Sequence, residues 1–404
     1  MKKICILVEV LLFSVVVLGQ NGQAPTRITL NLTDDPSTSM AVTWRTLEEV
    51  EHPQVSYAPA SAWIEFAAEA RSIDATSTRL NIDSVQAVYH HSVDIRGLSP
   101  GTEYLYRVGC DSEWSEWNPF TTADIDNSPF EFVFFGDPQE GIKEFVSRVF
   151  RKALMVAPKA RFWLFTGDLV PKPERDKYWD EWFNAGNFIF SIIPGIMTPG
   201  SHEYYYRKAD RTKVHEFTRL WNVHFTLPEN GIQGLAERSY FVDYQGVRII
   251  MLDGQSKREE QAEWMDNLLK NNPNRWTIAA VHQPIFSMGK NRDEKETHDA
   301  FMPIFDKYGL DLVLTGHDHV YARSHKLYND EVVTDKETGT VYVVSVSGAK
   351  AYPLSFRYGH LMARTGQNIQ LFQVISVDDN VLSFKAYTVM GKLFDHFDME
   401  KKKN

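Results

Sequence analysis

Five apolar runs in this chain each end on side chains that can hold a metal ion. The first is Phe134-Phe135-Gly136-Asp137 and the second is Leu164-Phe165-Thr166-Gly167-Asp168. The third is Met197-Thr198-Pro199-Gly200-Ser201-His202-Glu203. Ala280-Val281-His282 and Leu314-Thr315-Gly316-His317-Asp318-His319 complete the set. Carboxylate oxygen and imidazole nitrogen suit zinc, manganese and iron. In open α/β sheets, groups at the carboxyl ends of strands converge on one crevice. A glycine beside the acid or histidine lets the backbone bend and approach closely. Each signal alone has a plain structural reading: a strand-end Asp caps a helix or makes a turn, and a lone His is a satisfied core residue. Structure alone does not explain all of them in this order. In an extended strand His317 and His319 would point to opposite faces, whereas in a loop they can serve two adjacent metals.

The ordered set resembles the calcineurin-like metallophosphoesterase pattern: Gly-Asp, Gly-Asp, Gly-Asn-His-Glu, Val-x-x-His and Gly-His-x-His. The whole chain is similar to purple acid phosphatases. Residues 25–122 resemble their fibronectin-like N-terminal domain and residues 130–398 their catalytic domain, including Tyr321-Ala322-Arg323 and Gly391-Lys392. The implied fold is a fibronectin III-like all-β sandwich followed by an α/β four-layer metallophosphoesterase sandwich. In the latter, helices flank two central mixed sheets. The resemblance implies two metal ions, drawn from Fe, Zn and Mn. Asp137 and His319 would hold the first, His282 and His317 the second, and Asp168 would bridge them. His202 would contact phosphate and protonate the leaving oxygen, with Glu203 as its partner.

Three positions depart from the pattern. Gln139 stands where the wider superfamily often has His, Pro171 where purple acid phosphatases have their colour-giving Tyr, and Ser201 in the Asn slot. Ser201 and Gln139 remain candidate ligands, and the protein should not be purple. The implied reaction is phosphomonoester hydrolysis of the acid phosphatase kind, with hydroxide held by the metals attacking phosphorus in line. Two alternatives stay open: hydrolysis of a diester, nucleotide or phosphoglycan at the same site, and a degenerate binding protein without turnover. Arg292, His298 and Arg323 follow the fourth and fifth motifs, and a cationic loop there would suit a phosphate; a solvated charge is the plainer reading of each.

The elements that must position these groups are legible in the periodicity. From Arg27 to Thr122, period-two runs such as Met40–Trp44, His91–Ile95 and Tyr104–Val108 alternate with turns, as in a β-sandwich. The stretch Leu98–Tyr106 resembles the fibronectin corner, in which a Tyr hydroxyl ties back to backbone. His90-His91 reads as an exposed or strand-facing pair. Ala123–Pro129 is polar and short and reads as a linker. From Phe130 onward strands alternate with helices, an α/β layout. Ile142–Val156 has helical spacing, with apolar residues at Phe145, Val149 and Leu154, and Gln245-Gly246 marks a hairpin.

Lys2-Lys3, the apolar run Ile4–Leu18 and Gly19 describe a secretory signal over residues 1–19. Export follows as an expectation, to periplasm, surface or medium. Cys110 would then stand alone, a small buried residue without an internal disulfide. Hydrophobic residues at 43% and charged residues at 24% exclude wholesale disorder, collagen and a multi-span membrane protein. A net charge of −10 argues against binding nucleic acid by phosphate neutralisation. The expected partner is a phosphorylated small molecule or glycan. Oligomeric state is open.

Overall fold

In the computed structural model the described residues are 22–82, 86–110, 113–209, 212–334 and 339–402. The expected signal at 1–19 lies outside them. No helix among the described residues is long and apolar enough to cross a membrane.

The catalytic half is built on two sheets. In the first, Phe130–Phe135 lies parallel to Trp163–Phe165, which lies parallel to Gly195–Met197. Leu371–Asp378, Val381–Thr388 and Leu393–Glu400 extend it on the other side as an antiparallel meander. Phe135, Phe165 and Met197, the last residues of their strands, are register partners. Three motif loops therefore leave this sheet at one level. In the second sheet Val247–Leu252, Trp276–Val281, Leu312–Thr315 and Thr340–Val344 run parallel. All four are buried along their length, as strands covered on both faces must be. Arg258–Leu269 and Lys295–Tyr308 pack their apolar faces on this sheet through Met265, Phe301 and Phe305. Ser147–Val156 and Asp176–Gly186 cover the first sheet, where Phe150 and Trp182 meet Phe135, Trp163 and Phe165. The hairpin at Gln245-Gly246 forms with both residues at positive φ, 44° and 82°.

The N-terminal half is a β-sandwich with a five-stranded sheet on one side. Its Tyr104 hydroxyl accepts the Ser99 N–H at 2.9 Å, the corner expected from Leu98–Tyr106. Cys110 is buried. His90 and His91 are buried, not exposed: His91 bonds Thr46 and Ser77, and His90 packs edge-on against His224.

One further expectation needs correction. Phe145 is 46% exposed and does not face the core. Residues Ile142–Val146 form a π-turn, whose wider winding brings Val146, Val149, Phe150 and Ala153 inward instead. The polar linker 123–129 is bound to the hairpin. Gln245 accepts the Asp124 N–H at 3.0 Å and donates to the Ser128 carbonyl at 2.6 Å.

The two halves share one sheet. Thr26–Asn31 runs parallel to Gly195–Met197, so the sandwich strands continue the catalytic sheet to ten. Asn31 seals the join by donating to the Gly195 carbonyl at 3.0 Å and accepting from Thr226 N–H at 3.1 Å. Arg27 forks onto Asp176 at 2.7 and 2.8 Å across the same junction.

Candidate metal centre

All five motif loops meet where the two sheets end. Asp168, His282 and His317 can bring ligand atoms within 4.8 Å of one another, as can Asp137, Asp168 and His319. Asp168 belongs to both groups. The resemblance to metallophosphoesterases implies a bridging carboxylate at this residue.

The backbone is bent hard to achieve it. Asp137, Asp168, His317 and His319 have φ of 44°, 51°, 70° and 51°, a left-handed region that side-chain-bearing residues avoid. Such outliers persist only where the surroundings over-determine them. Here the loops bind each other: Gln139 N–H donates to Asp168 O at 3.0 Å and Gly348 N–H to Asp137 O at 2.9 Å. Two glycines are needed for close approach. A Cβ on Gly200 would lie 2.3 Å from Asp168 Oδ1, and one on Gly316 would lie 2.2 Å from Asp137 Oδ2.

His282, His317 and His202 are each aimed by their second nitrogen. His282 Nδ1 donates to the Thr166 carbonyl at 2.7 Å, which turns Nε2 to within 3.3 Å of Asp168. His317 Nε2 meets Glu294 at 3.0 Å, which leaves Nδ1 facing His282. A second partner of this kind sets the tautomer and orientation of a ligating His. His202 Nδ1 donates to Pro171 O at 2.8 Å, so Nε2 points away. Pro171 thus orients His202 through its backbone.

Burial would lower the His282 imidazole, but the carboxylates of Asp168 and Asp137 outweigh it and hold it up, at about 10. Burial pushes Asp137 up. Asp168 is pulled the other way despite burial, by His282 first and then by His202. Burial brings His319 down to about 3, with Lys350 adding to it. The site is one in which anionic oxygens need a cation. Asp137 Oδ1, Gln139 Oε1 and His319 Nδ1 are buried without a hydrogen-bond partner. Buried polar atoms are rarely left so. The oxygens among them are of the type that can ligate a metal, and the donor set fits metal ions.

The other predicted residues sort differently. Gln139 is at the centre, donating to Asp168 at 2.8 Å. The Ser201 hydroxyl reaches only Asp168, at 3.3 Å to each oxygen. Glu203 has no bond to His202. It is fully buried and accepts N–H groups of Asp168, Leu169 and Gly200 at 2.7–2.8 Å. Burial, then the Asp168 charge, pushes its carboxyl up to about 7. Its place in the structure is to tie the second and third loops together. Arg292 lies against Tyr352, which packs edge-on to His319. His298 and Arg323 are not brought to the cluster. His298 bonds Asp330 and Asp299. Arg323 forks onto Asp395 at 2.7 and 3.0 Å and stacks on Phe397, which binds the closing hairpin to the sheet.

Sequence reasoning passed over Glu294 and Asp318. Asp318 accepts the Met288 and Gly289 N–H groups and the Ser287 hydroxyl, which clamps the fifth loop to the fourth. Its place between the two histidines was the available signal. Glu294 precedes the helix Lys295–Tyr308 and reads as an ordinary cap residue.

Comparison with known proteins agrees with this geometry. Residues 25–122 match the family described as purple acid phosphatase, N-terminal domain, and residues 130–321 match calcineurin-like phosphoesterase. The chain is 26% identical over 340 residues to acid phosphatase type 7 of Mus musculus, covering 76% of this chain and 72% of that one. It is 27% identical over 331 residues to probable purple acid phosphatase 20 of Arabidopsis thaliana, covering 79% and 73%. In fold it is similar to a purple acid phosphatase from yellow lupin seeds, with TM-score 0.77, 18% identity and coverage of 94% and 74%. It is also similar in fold to PhoD, with TM-score 0.66, 11% identity and coverage of 94% and 93%. A β-rich domain in front of a metallophosphoesterase sandwich, with strand-end carboxylates and histidines gathered at its crevice, places the chain among the purple acid phosphatase-like members of the calcineurin-like metallophosphoesterases, as a phosphoric ester hydrolase.

Proposed function

We propose that this chain is an exported, acid phosphatase-like enzyme that hydrolyses phosphomonoesters at a two-metal centre. The observation that carries the reading is the pair of ligand groups sharing Asp168. Asp137, Gln139 and His319 would hold one ion and His282 and His317 the other, with Asp168 common to both. When bound, the ions supply positive charge for the phosphoryl oxygens and a nucleophile ionised near neutral pH. The chain's own residues do the rest. Thr166 and Glu294 keep the ring nitrogens of His282 and His317 turned inward. Glu203 and the Ser201 hydroxyl fix the Asp168 loop and carboxylate. His202, tied to Pro171 by Nδ1, presents Nε2 to give a proton to the leaving oxygen. Export rests on the charged start and short apolar run of residues 1–19.

The test is metal content per chain after separate incubation with Mn, Fe and Zn, followed by phenyl phosphate turnover. Two ions and turnover are expected, and Asp168→Asn should lose both. Fewer than two ions in every metal, or turnover that survives Asp168→Asn, would sink the reading.

A further inference from the structure

Beside the Asp137–Asp168–His319 group lies a wall of three side chains that the hydrolytic reading leaves unused. Tyr352 packs edge-on to His319 at 5.1 Å between ring centres, and its N–H donates to the His319 carbonyl at 3.3 Å. Two cations share its ring, Arg292 with its guanidinium 4.8 Å from the centre and Lys350 with its ammonium 5.3 Å away. Both cations are half-buried. Among the described residues no carboxylate lies within salt-bridge distance of either, while Arg357 nearby is paired with Asp293. The backbone on both sides of the ring is fixed.

That backbone is bound to the metal loops themselves. Ser347 N–H donates to Gly136 O at 2.6 Å, Gly348 N–H to Asp137 O at 2.9 Å and Ala349 N–H to Glu140 O at 3.3 Å. Lys350 follows at once. On the other side Lys290 N–H donates to Pro353 O at 2.9 Å, Ser355 N–H to Met288 O at 2.7 Å, and Arg292 N–H to Gly289 O at 3.2 Å. The loop carrying Arg292 and the segment carrying Lys350 and Tyr352 are thus one rigid rim. The Tyr352 hydroxyl accepts from both cations, and half-buried cations that no carboxylate bridges, on a rigid rim, are the chemistry that recognises an anion. The scissile phosphate already has the metal ligands and His202, which is tied by its N–H to the Asp168 carboxylate and by Nδ1 to the Pro171 carbonyl.

We propose that Arg292, Lys350 and Tyr352 form a subsite for a second anionic group of the substrate, a phosphate or carboxylate carried on the same molecule as the scissile phosphate. The proposal rests on the phosphoesterase reading of the adjacent cluster. It commits the enzyme to multiply anionic phosphoesters over simple ones.

The probes are phenylphosphonate, with one anionic head, and 1,4-phenylenebisphosphonate, with two, titrated calorimetrically into the full-length protein loaded with Mn. The wild type should bind the two-headed probe at least about tenfold more tightly. In Arg292→Gln and Lys350→Gln the preference should fall to about threefold or less, while Lys350→Arg should retain it. A wild-type preference below about threefold, or one that survives both Gln substitutions, overturns the subsite. So does failure of the wild type to bind either probe. Phenyl phosphate turnover is measured in parallel: its absence alongside an intact binding preference would reject the hydrolase reading and leave the subsite standing.

Discussion

At the scale of single residues, the centre depends on groups that never touch a substrate. Glu294 meets His317 Nε2 at 3.0 Å and so decides which ring nitrogen faces His282. Replacing such a partner typically weakens metal affinity about 10- to 100-fold. Glu294→Gln should therefore bind metal more weakly by about that factor in a chelator competition, with its melting temperature in chelator near that of the wild type. Equal affinity in the two proteins would assign Glu294 to helix capping alone. His202 stands in the opposite position, bonded to the second loop through its N–H and Nδ1 but absent from both ligand groups. His202→Ala should keep both ions and slow turnover by about 10²- to 10⁴-fold, the usual worth of a positioned acid. Loss of an ion from that variant would make His202 a ligand.

At the scale of elements, the strands end in register and the loops beyond them are locked together by buried side chains. Glu203 accepts three N–H groups from two loops, and Asp318 ties the fourth loop to the fifth. A Gly200→Ala change would drive a methyl into Asp168 at 2.3 Å and push the second and third loops apart. It should lower both metal content and the melting temperature, and unchanged metal content would show that the loops can part without harm. A second element carries a pH dependence away from the site. Glu237 is buried and holds the turn around residues 222–227 by accepting from Asn222 and from the Leu227 N–H. Burial pushes its carboxyl from 4.5 up to about 7. The folded state therefore binds this proton more tightly than the unfolded chain. Its contribution is full below pH about 4.5 and is lost as pH rises through about 7. Denaturant unfolding from pH 5 to 8 should show less decline with pH in Glu237→Gln than in the wild type. Parallel slopes would place the proton elsewhere.

At the scale of the whole molecule, the sandwich and the catalytic half are one folding body. Their strands form a single ten-stranded sheet, and one apolar core runs from Leu30 and Trp44 through Phe132 to Phe384. Arg27 is almost fully buried and forks onto Asp176 while also reaching Asp180. Removing one partner of a buried pair typically costs about 3–5 kcal/mol. Arg27→Ala should be destabilised by roughly that amount, and calorimetry of the wild type should show one transition for both halves. Two separated transitions would mean that the shared sheet does not couple them.

The sequence alone determined the chemistry of the site and the order of its parts. Acids and histidines beside glycines at the ends of buried runs limit what can sit there, because ligand type and strand-end position are local properties. Alternation and 3.6-residue spacing likewise made both halves legible, down to the hairpin at Gln245-Gly246 and the corner at Tyr104. Contacts between residues far apart in the chain had no local signature. Glu203 and Arg323 looked like site residues by position, yet one ties loops and the other pairs with Asp395, 72 residues away. Glu294, Lys350 and Tyr352 reach the centre only because the loops that carry them are bonded across it. The joining of two domains into one sheet rests on a parallel pairing between Asn31 and Gly195, 164 residues apart. Pairing of that range is decided by how whole surfaces fit once folded, and so it belonged to the tertiary structure.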